Sequence, residues 1–399
     1  MLRLSDRVRR IAEAATGKAV QAARSRKEFS GKLIEMARGE PHFDIPDNVR
    51  TAMKDALDRG ETHYTPVDGT EALKSAIQDK FERENGLRFG RDEITSASGC
   101  KQILANALGA TLNAGDEVII PVPGWDCYAN IVRFYGGAPV FARCSADNGF
   151  KLQGETLEGL ITERTRWLIL NSPTNPTGAV YSVTEQRQLA QALLRNPHVW
   201  LLSDEIYEHM VYEGKAVSPL HTEPALRERS LLANGLSKTY AMTGLRLGYG
   251  AGPAALVKAM AKLQSNSTSN PCSISQAGAI EALRGPQMFL ADRLGILRRA
   301  RDLVVTRLAK MNCLCLESPE STFFAFVGCQ SSFGKRTTRG TEIKNSDDFV
   351  AALMEEEQVL VTSGSVFGDS RYFRLTFSLC EEQLHAACDR MERFCASLC

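Results

Sequence analysis

Six short, largely apolar runs, each separated from the next by a stretch with helical spacing, constrain this chain more than any other feature. They fall at residues 117–121, 138–142, 167–170, 199–202, 231–233 and 246–250. Continuous rather than alternating apolar runs belong to strands buried on both faces, and strands separated by helices are parallel. The expected architecture is therefore α/β, a mainly parallel central sheet covered by helices on both sides. A further short strand, Glu93-Ile94-Thr95-Ser96, precedes a helical pattern over residues 101–112, with Ile103, Leu104, Ala107, Leu108 and Leu112 on one side. A chain of 399 residues, 43% of them hydrophobic, is long enough for two domains. The large domain is placed at residues 48–300. Residues 1–47 and 301–399 form a smaller α+β domain, built on a long helical pattern after Asp292 and a strand near 323–327. The polar stretch 328–346 reads as an exposed loop.

Open α/β sheets bind ligands beyond the carboxyl ends of their strands. The run 199–202 ends in Ser203-Asp204-Glu205-Ile206-Tyr207, which puts Asp204 at that crevice. An ordinary helix-capping role for Asp204 is compatible with this position. The run 167–170 leads into Asn171-Ser172-Pro173-Thr174-Asn175-Pro176-Thr177-Gly178, a turn that either aims the Asn175 amide into the crevice or only closes the loop. Ser98-Gly99-Cys100 opens a helix, where unpaired amides and the helix dipole suit a phosphate. Finally, residues 234–249 hold Lys238 in a turn with Arg246 eight positions later. A lysine amine can form a Schiff base and an arginine can grip a phosphate, although an isolated lysine in such a turn is as often merely solvated. Both needs meet in pyridoxal phosphate, whose pyridine nitrogen wants an anion such as Asp204 and whose phenolic oxygen lies within reach of donors such as Tyr207 and Asn175.

The ordered motifs Ala37-Arg38-Gly39-Glu40-Pro41, Tyr64-Thr65-Pro66, Gly99-Cys100-Lys101-Gln102, Pro173-Thr174-Asn175-Pro176-Thr177-Gly178, Ser203-Asp204-Glu205-Ile206-Tyr207-Glu208, Ser237-Lys238, Met242-Thr243-Gly244-Leu245-Arg246 and Arg374-Leu375-Thr376-Phe377 span nearly the whole chain. With them the chain resembles the class I and II aminotransferases of pyridoxal-phosphate fold type I, and is similar to their bacterial aspartate aminotransferase branch. The resemblance implies a seven-stranded sheet and a catalytic set of Lys238, Asp204 and Tyr207. It also implies that Gly99, Cys100, Lys101, Ser237 and Arg246 bind the cofactor with Asn175, while Trp125 stacks on the pyridine face; a buried core tryptophan is the plainer reading of that residue. Tyr64 corresponds to a tyrosine that reaches the phosphate of a neighbouring subunit, so a homodimer is implied, with residues 267–270 also shared across it.

Substrate recognition follows the same comparison. Arg374 would read the α-carboxylate with two parallel hydrogen bonds, Arg371 being the rival, solvated charge. Gly39, Trp125 and Asn175 would complete the substrate site. The implied activity is transfer of the amino group of an L-amino acid to a 2-oxo acid by a ping-pong mechanism, aspartate and 2-oxoglutarate being the default pair. The alternatives are a lyase, decarboxylase or oxidase on the same fold, an aromatic or other specialised transaminase, and a non-catalytic cofactor-binding module. Three departures bear on the distal pocket. Ala12-Glu13-Ala14-Ala15-Thr16 lacks the lysine of the branch, for which Lys18 is the possible substitute; Leu245 replaces a tryptophan; and Ser321-Thr322-Phe323-Phe324 replaces Gly-Ala-Phe-Tyr.

Composition narrows the partners. A formal charge of +1 provides no broad basic surface, so nucleic acid is not expected. The eleven cysteines are scattered, and Cys313-Leu314-Cys315 has neither a second pair nor a nearby histidine, so no metal site is expected. Without a secretory segment or an apolar run long enough to span a bilayer, the chain reads as cytoplasmic, with free thiols and no membrane partner. Residues 2–26 are Arg-rich but carry Asp6 and Glu13. They read as an amphipathic helix packing on the C-terminal domain, an organellar presequence being the alternative.

Overall fold

The computed structural model describes residues 3–12 and 33–399. Seven strands form the central sheet: β1 (Ile94–Ala97), β2 (Glu117–Val122), β3 (Ala138–Arg143), β4 (Thr165–Asn171), β5 (Trp200–Asp204), β6 (Ser230–Gly235) and β7 (Gly248–Ala251). Their order is β1-β7-β6-β5-β4-β2-β3. From β6 to β3 all neighbours are parallel, whereas β7 is antiparallel to both β6 and β1. The expected mainly parallel sheet is present, with one correction at its edge. The strand assigned to 246–250 begins only at Gly248, because Arg246 sits at φ 52 in the left-handed region. It reverses direction because the connection from β6 contains a short 3₁₀ turn, Thr243–Leu245, and no crossover helix.

Side chains along the inner strands alternate between two cores, as the period of two requires. On β4, Leu168 and Leu170 enter one core while Trp167 and Ile169 enter the other. Leu73 and Ile77 of Glu71–Lys80 and Leu189 and Leu193 of Val183–Arg195 cover the first face. Ile103, Leu104, Ala107 and Leu108 of Cys100–Thr111 cover the second, and Leu112 joins them, so the helical face read from the sequence is the buried one. Full burial of such aliphatic side chains is worth about 1.5–3 kcal/mol each, which makes these two layers the main adhesive of the sheet.

A separate core surrounds a three-stranded antiparallel sheet, β8 (Phe324–Gly328), β9 (Thr362–Ser363) and β10 (Tyr372–Thr376), ordered β9-β10-β8. Phe323, Phe324, Phe349, Phe373 and Phe377 fill it, under the helices Phe289–Leu308 and Glu381–Ser397. Ile34–Glu35 pairs in parallel with Val359–Leu360 and ties the early chain to this unit. The helix Phe289–Leu308 links the two bodies: Phe289 packs on the large sheet's core, while Leu297, Ala300, Val304 and Leu308 lie in the small one.

Two expectations need correction. Residues 328–346 are not simply an exposed loop, since Cys329, Ser332, Ile343 and Ser346 are buried. Ile343 anchors the segment, with its amide bonded to the Lys335 carbonyl at 2.9 Å; a polar average conceals one apolar anchor. Among the described early residues, the short helix Asp6–Arg9 lies against Cys127–Phe134, with Arg7 5.4 Å from the Phe134 ring, and not against the C-terminal region. The rest of that stretch, including Lys18 and positions 13–16, lies outside the described residues. No described helix is long and apolar enough to cross a membrane.

Candidate active site

The carboxyl ends of β4, β5 and β6, the first turn of Cys100–Thr111 and β10 converge on one cavity of about 290 Å³. Gly39, Cys100, Lys101, Trp125, Asn175, Asp204, Tyr207, Ser237, Lys238, Arg246 and Arg374 all line it. Gly99 flanks it through Arg246. Among the expected catalytic, cofactor and substrate residues, Tyr64 lies elsewhere, 91% exposed on the surface of this chain.

Lys238 follows β6 and donates to the Gly39 carbonyl at 2.6 Å. Burial lowers its ammonium from 10.5 to about 8; Glu40 opposes that fall, while Arg374 and Arg246 add to it. The amine is thereby brought close to neutrality, the form that acts as nucleophile or base. Asp204 closes β5. Its Oδ2 accepts from the Tyr128 hydroxyl at 2.7 Å and its Oδ1 from the Ile206 amide at 3.2 Å. Burial raises the Asp204 carboxyl, and the Tyr128 hydrogen bond is the largest influence holding it down. Tyr207 is buried against Phe323 and Phe324, and desolvation raises its phenol.

Arg246 is the one basic residue that the backbone forces into a left-handed conformation here, a strained state that persists where the surroundings require it. Its guanidinium donates to the Thr243 carbonyl at 2.9 Å and lies beside Gly99. A Cβ at Gly99, whose φ is 93°, would stand 2.5 Å from Arg246 Nη2. A Cβ on Gly248 would stand 2.2 Å from the Cys100 nitrogen, so β7 passes hard against the opening of the helix. These two glycines keep a cradle of amides and a guanidinium open for an oxyanion.

Arg374, 3% exposed on β10, donates from Nη1 to Asn175 Oδ1 at 2.9 Å and from Nη2 to the Ala37 carbonyl at 3.0 Å. Its guanidinium carbon lies 4.2 Å from the Phe324 ring centre and 4.8 Å from that of Phe367. Among the described residues its Nε is the one buried side-chain polar atom without a hydrogen-bond partner. Burial takes the guanidinium down to about 10. Arg371, by contrast, is exposed and bound to Asp369 at 2.6 Å. Gly39 offers its carbonyl to Lys238, while Ala37 serves Arg374.

Two polar lining residues, Tyr128 and Asn171, were not expected from the sequence. Tyr128 follows Trp125 by three positions, and the two rings meet edge to face at 5.3 Å. Asn171, at the end of β4, accepts from the Asn175 amide at 2.9 Å and donates to the Asp204 carbonyl at 3.0 Å, coupling two strand ends. The i, i+3 spacing of Trp125 and Tyr128 was the available signal for the first; Asn171 sat in the Pro-rich loop already noted.

Sheet and cavity together define a fold type I pyridoxal-phosphate enzyme. The family model for aminotransferase class I and II matches residues 31–391, and the chain belongs to that family. An aspartate aminotransferase of Rhizobium meliloti is 50% identical over 377 residues, 94% of this chain and 92% of that protein. An aspartate/prephenate aminotransferase of Cereibacter sphaeroides is 46% identical over 99% of both chains. The crystal structure of an aspartate aminotransferase from Rhizobium meliloti matches with a TM-score of 0.97, at 48% identity and complete coverage of both chains.

The protein is a transferase that uses pyridoxal phosphate and acts on amino and 2-oxo acids. The cavity fits that cofactor on its own terms: an amine near neutrality, a buried carboxylate and the Arg246 guanidinium line it, with Gly99 leaving room beside that guanidinium.

Proposed function

We propose that this enzyme transfers the amino group of L-aspartate to 2-oxoglutarate, and that the cavity residues divide the work as follows. When bound, pyridoxal phosphate supplies an electrophilic carbon and a ring that takes up negative charge from the substrate Cα. Lys238 would anchor it through its amine, and the same amine, close to neutrality, would take and return the proton at the substrate Cα. Asp204, whose charge the Tyr128 hydrogen bond favours against burial, would hold the pyridine nitrogen protonated. Tyr207 and Asn175 attend the phenolic oxygen, and Trp125 covers the ring. The amides at Gly99, Cys100 and Lys101, with Ser237 and Arg246, hold the phosphate.

The observation that carries the substrate reading is Arg374 at the cavity, its two terminal nitrogens fixed by Asn175 and the Ala37 carbonyl. Each terminal nitrogen carries a second hydrogen, and a planar α-carboxylate would accept from that pair in the fork geometry arginine prefers. Four cations line the cavity: Lys238, Arg246, Arg374 and Lys101. With amine, phosphate and α-carboxylate served by the first three, the fourth is the Lys101 ammonium, 4.7 Å from the Trp125 ring centre and donating to Cys127 Sγ at 3.3 Å. It is placed to take a side-chain carboxylate, which favours a dicarboxylic donor over an aromatic one. The aspartate aminotransferase relatives support the same choice, and the aspartate/prephenate relative makes prephenate the second acceptor to try.

The exposure of Tyr64, the same tyrosine whose counterpart serves a neighbouring subunit, supports a homodimer with shared sites, and a soluble cytoplasmic enzyme with ping-pong kinetics fits the family. The division into a large domain at about residues 48–300 and a small one from the two ends is supported by the separate aromatic core around β8 and β10, the boundary falling inside the helix Phe289–Leu308. A panel of amino donors tests the reading. Aspartate should give the highest kcat/KM, and Lys101→Met should raise KM for aspartate by roughly tenfold or more while sparing monocarboxylic donors. Equal loss on both donor types would sink the assignment of Lys101.

A further inference from the structure

Behind the cavity lies a second cluster of charges that the reaction does not use directly. Lys80 has no exposed side-chain surface, and its ammonium rests on Glu208 Oε1. The same Oε1 accepts from Asn234 Nδ2 at 2.6 Å, and Oε2 accepts from Asn85 Nδ2 at 3.0 Å. Asn234 in turn takes the Gly235 amide on its own Oδ1 at 2.7 Å. The next residue after Glu208, His209, is hydrogen-bonded to Thr239 Oγ1 at 3.3 Å on one ring nitrogen and to Glu84 Oε2 at 2.9 Å on the other. Lys80 also bonds Asn85 Oδ1 at 2.8 Å, which closes the cluster over the π-helical turn Phe81–Asn85.

Two segments meet in this cluster. One, residues 204–209, carries Asp204 and Tyr207; the other, residues 234–239, carries Ser237 and Lys238. Glu208 to Asn234 and His209 to Thr239 are side-chain bonds between them, made by residues that do not line the cavity. Glu84, Glu208 and His209 could by spacing hold a metal ion, but the ammonium of Lys80 already lies among their oxygens, 3.7 Å from Glu84 and in contact with Glu208. The cluster is thus complete as a brace.

We propose that Glu208 is a positioning residue: seated on the buried Lys80, it clamps residues 204–209 to residues 234–239 and so fixes the Lys238 amine relative to the Asp204 carboxylate. The geometry fits the role, because both acceptor oxygens of Glu208 are engaged and its side chain is only 9% exposed. Burial alone would push its carboxyl up; Lys80 first, then His209, bring it below the usual value, so the charged, hydrogen-bond-accepting form is maintained. Small displacements of reacting groups are costly: an error near 1 Å can lower a rate by roughly a hundredfold.

The inference rests on Lys238 being the cofactor's amine, and the test separates the two. Wild-type and Glu208→Gln full-length proteins are loaded with pyridoxal phosphate, and kcat and KM are measured. The cofactor-free forms are treated with acetic anhydride across a pH series, and acetylation at position 238 is followed by mass spectrometry. The brace predicts a kcat lowered by roughly tenfold or more with KM within about twofold. It also predicts that the Lys238 titration rises from near 8 toward that of a free lysine, as a loosened turn readmits water around the amine. Lys238 faces Glu40, Arg374, Arg246 and Asp204, all unchanged in the variant. Wild-type kcat and wild-type Lys238 titration in Glu208→Gln would overturn the proposal, whatever happens to the melting temperature. If that variant does not fold, Asn234→Ala, which removes the Glu208 bond between the segments together with the local Asn234 bond to the Gly235 amide, replaces it with the same two outcomes. Borohydride fixation of the cofactor on Lys238 in the wild type keeps the underlying reading independent: its absence there defeats that reading, whereas its presence beside unaffected variants defeats only the brace.

Discussion

The Tyr128 hydroxyl donates to Oδ2 of Asp204 at 2.7 Å, with both groups buried beneath the cavity. That hydrogen bond is the strongest influence opposing the desolvation that raises the Asp204 carboxyl. Removing it in Tyr128→Phe leaves the burial uncompensated, so Asp204 gains its proton at a higher pH. The rate should fall by roughly tenfold, in line with a lost hydrogen bond to a buried charge. The acid limb of the kcat profile should move to higher pH, with KM for the donor little changed.

Lys238 supplies a prediction about stability. Its amine titrates near 8 when folded against 10.5 when free, so between those values the unfolded chain binds more protons than the native one. Stability of the cofactor-free protein should therefore rise with pH across that window, and the cost of holding the buried ammonium is fully present below it. Lys238→Met removes the cost. Thermal unfolding at pH 7 should show the variant melting about 2 °C or more above the wild type, the gap narrowing toward pH 10, while transamination is lost.

Arg374 and Arg371 are three residues apart and should behave differently. Arg374→Lys keeps a charge but loses the planar fork at the cavity, and kcat/KM for the amino donor should fall by roughly a hundredfold. Arg371→Ala breaks only an exposed pair with Asp369 and should change kcat/KM by less than about twofold. Steady-state kinetics on the two variants settles the comparison.

Gly99→Ala places a methyl 2.5 Å from Arg246 Nη2 at a residue with φ 93°. The guanidinium must move from the oxyanion cradle. Cofactor affinity, measured by equilibrium dialysis, should weaken by roughly tenfold, without loss of the amine at position 238.

How much of this could be read from the chain depends on how strictly chemistry dictates each position. Lys238, Asp204 and Arg374 were legible because an amine, a strand-end carboxylate and a guanidinium are needed at the ends of β6 and β5 and on β10, and few residue types can serve. The buried face of Ile103, Leu104, Ala107 and Leu108 was legible because helical spacing allows only one side to meet the sheet. Tyr128 was not, since a tyrosine within an apolar helix gives no sign that its hydroxyl meets a carboxylate from a strand 76 positions later. The reversal of β7 escaped because glycine-rich runs carry no direction, and the left-handed turn at Arg246 belongs to a residue type that seldom adopts it. Ile343 escaped because one apolar residue in a polar stretch anchors the loop without changing its average. Glu208 was noticed as part of a motif, but only the fold brings it to Lys80 and Asn234.

The central claim, that the Lys238 amine carries the cofactor, is tested most directly by incubating the purified protein with pyridoxal phosphate, reducing with borohydride and sequencing the labelled peptide by mass spectrometry. The account predicts the pyridoxyl mass on Lys238 in near-stoichiometric amount and none there in Lys238→Met. Label spread over surface lysines, or a wild-type protein left unmodified at position 238, would contradict it.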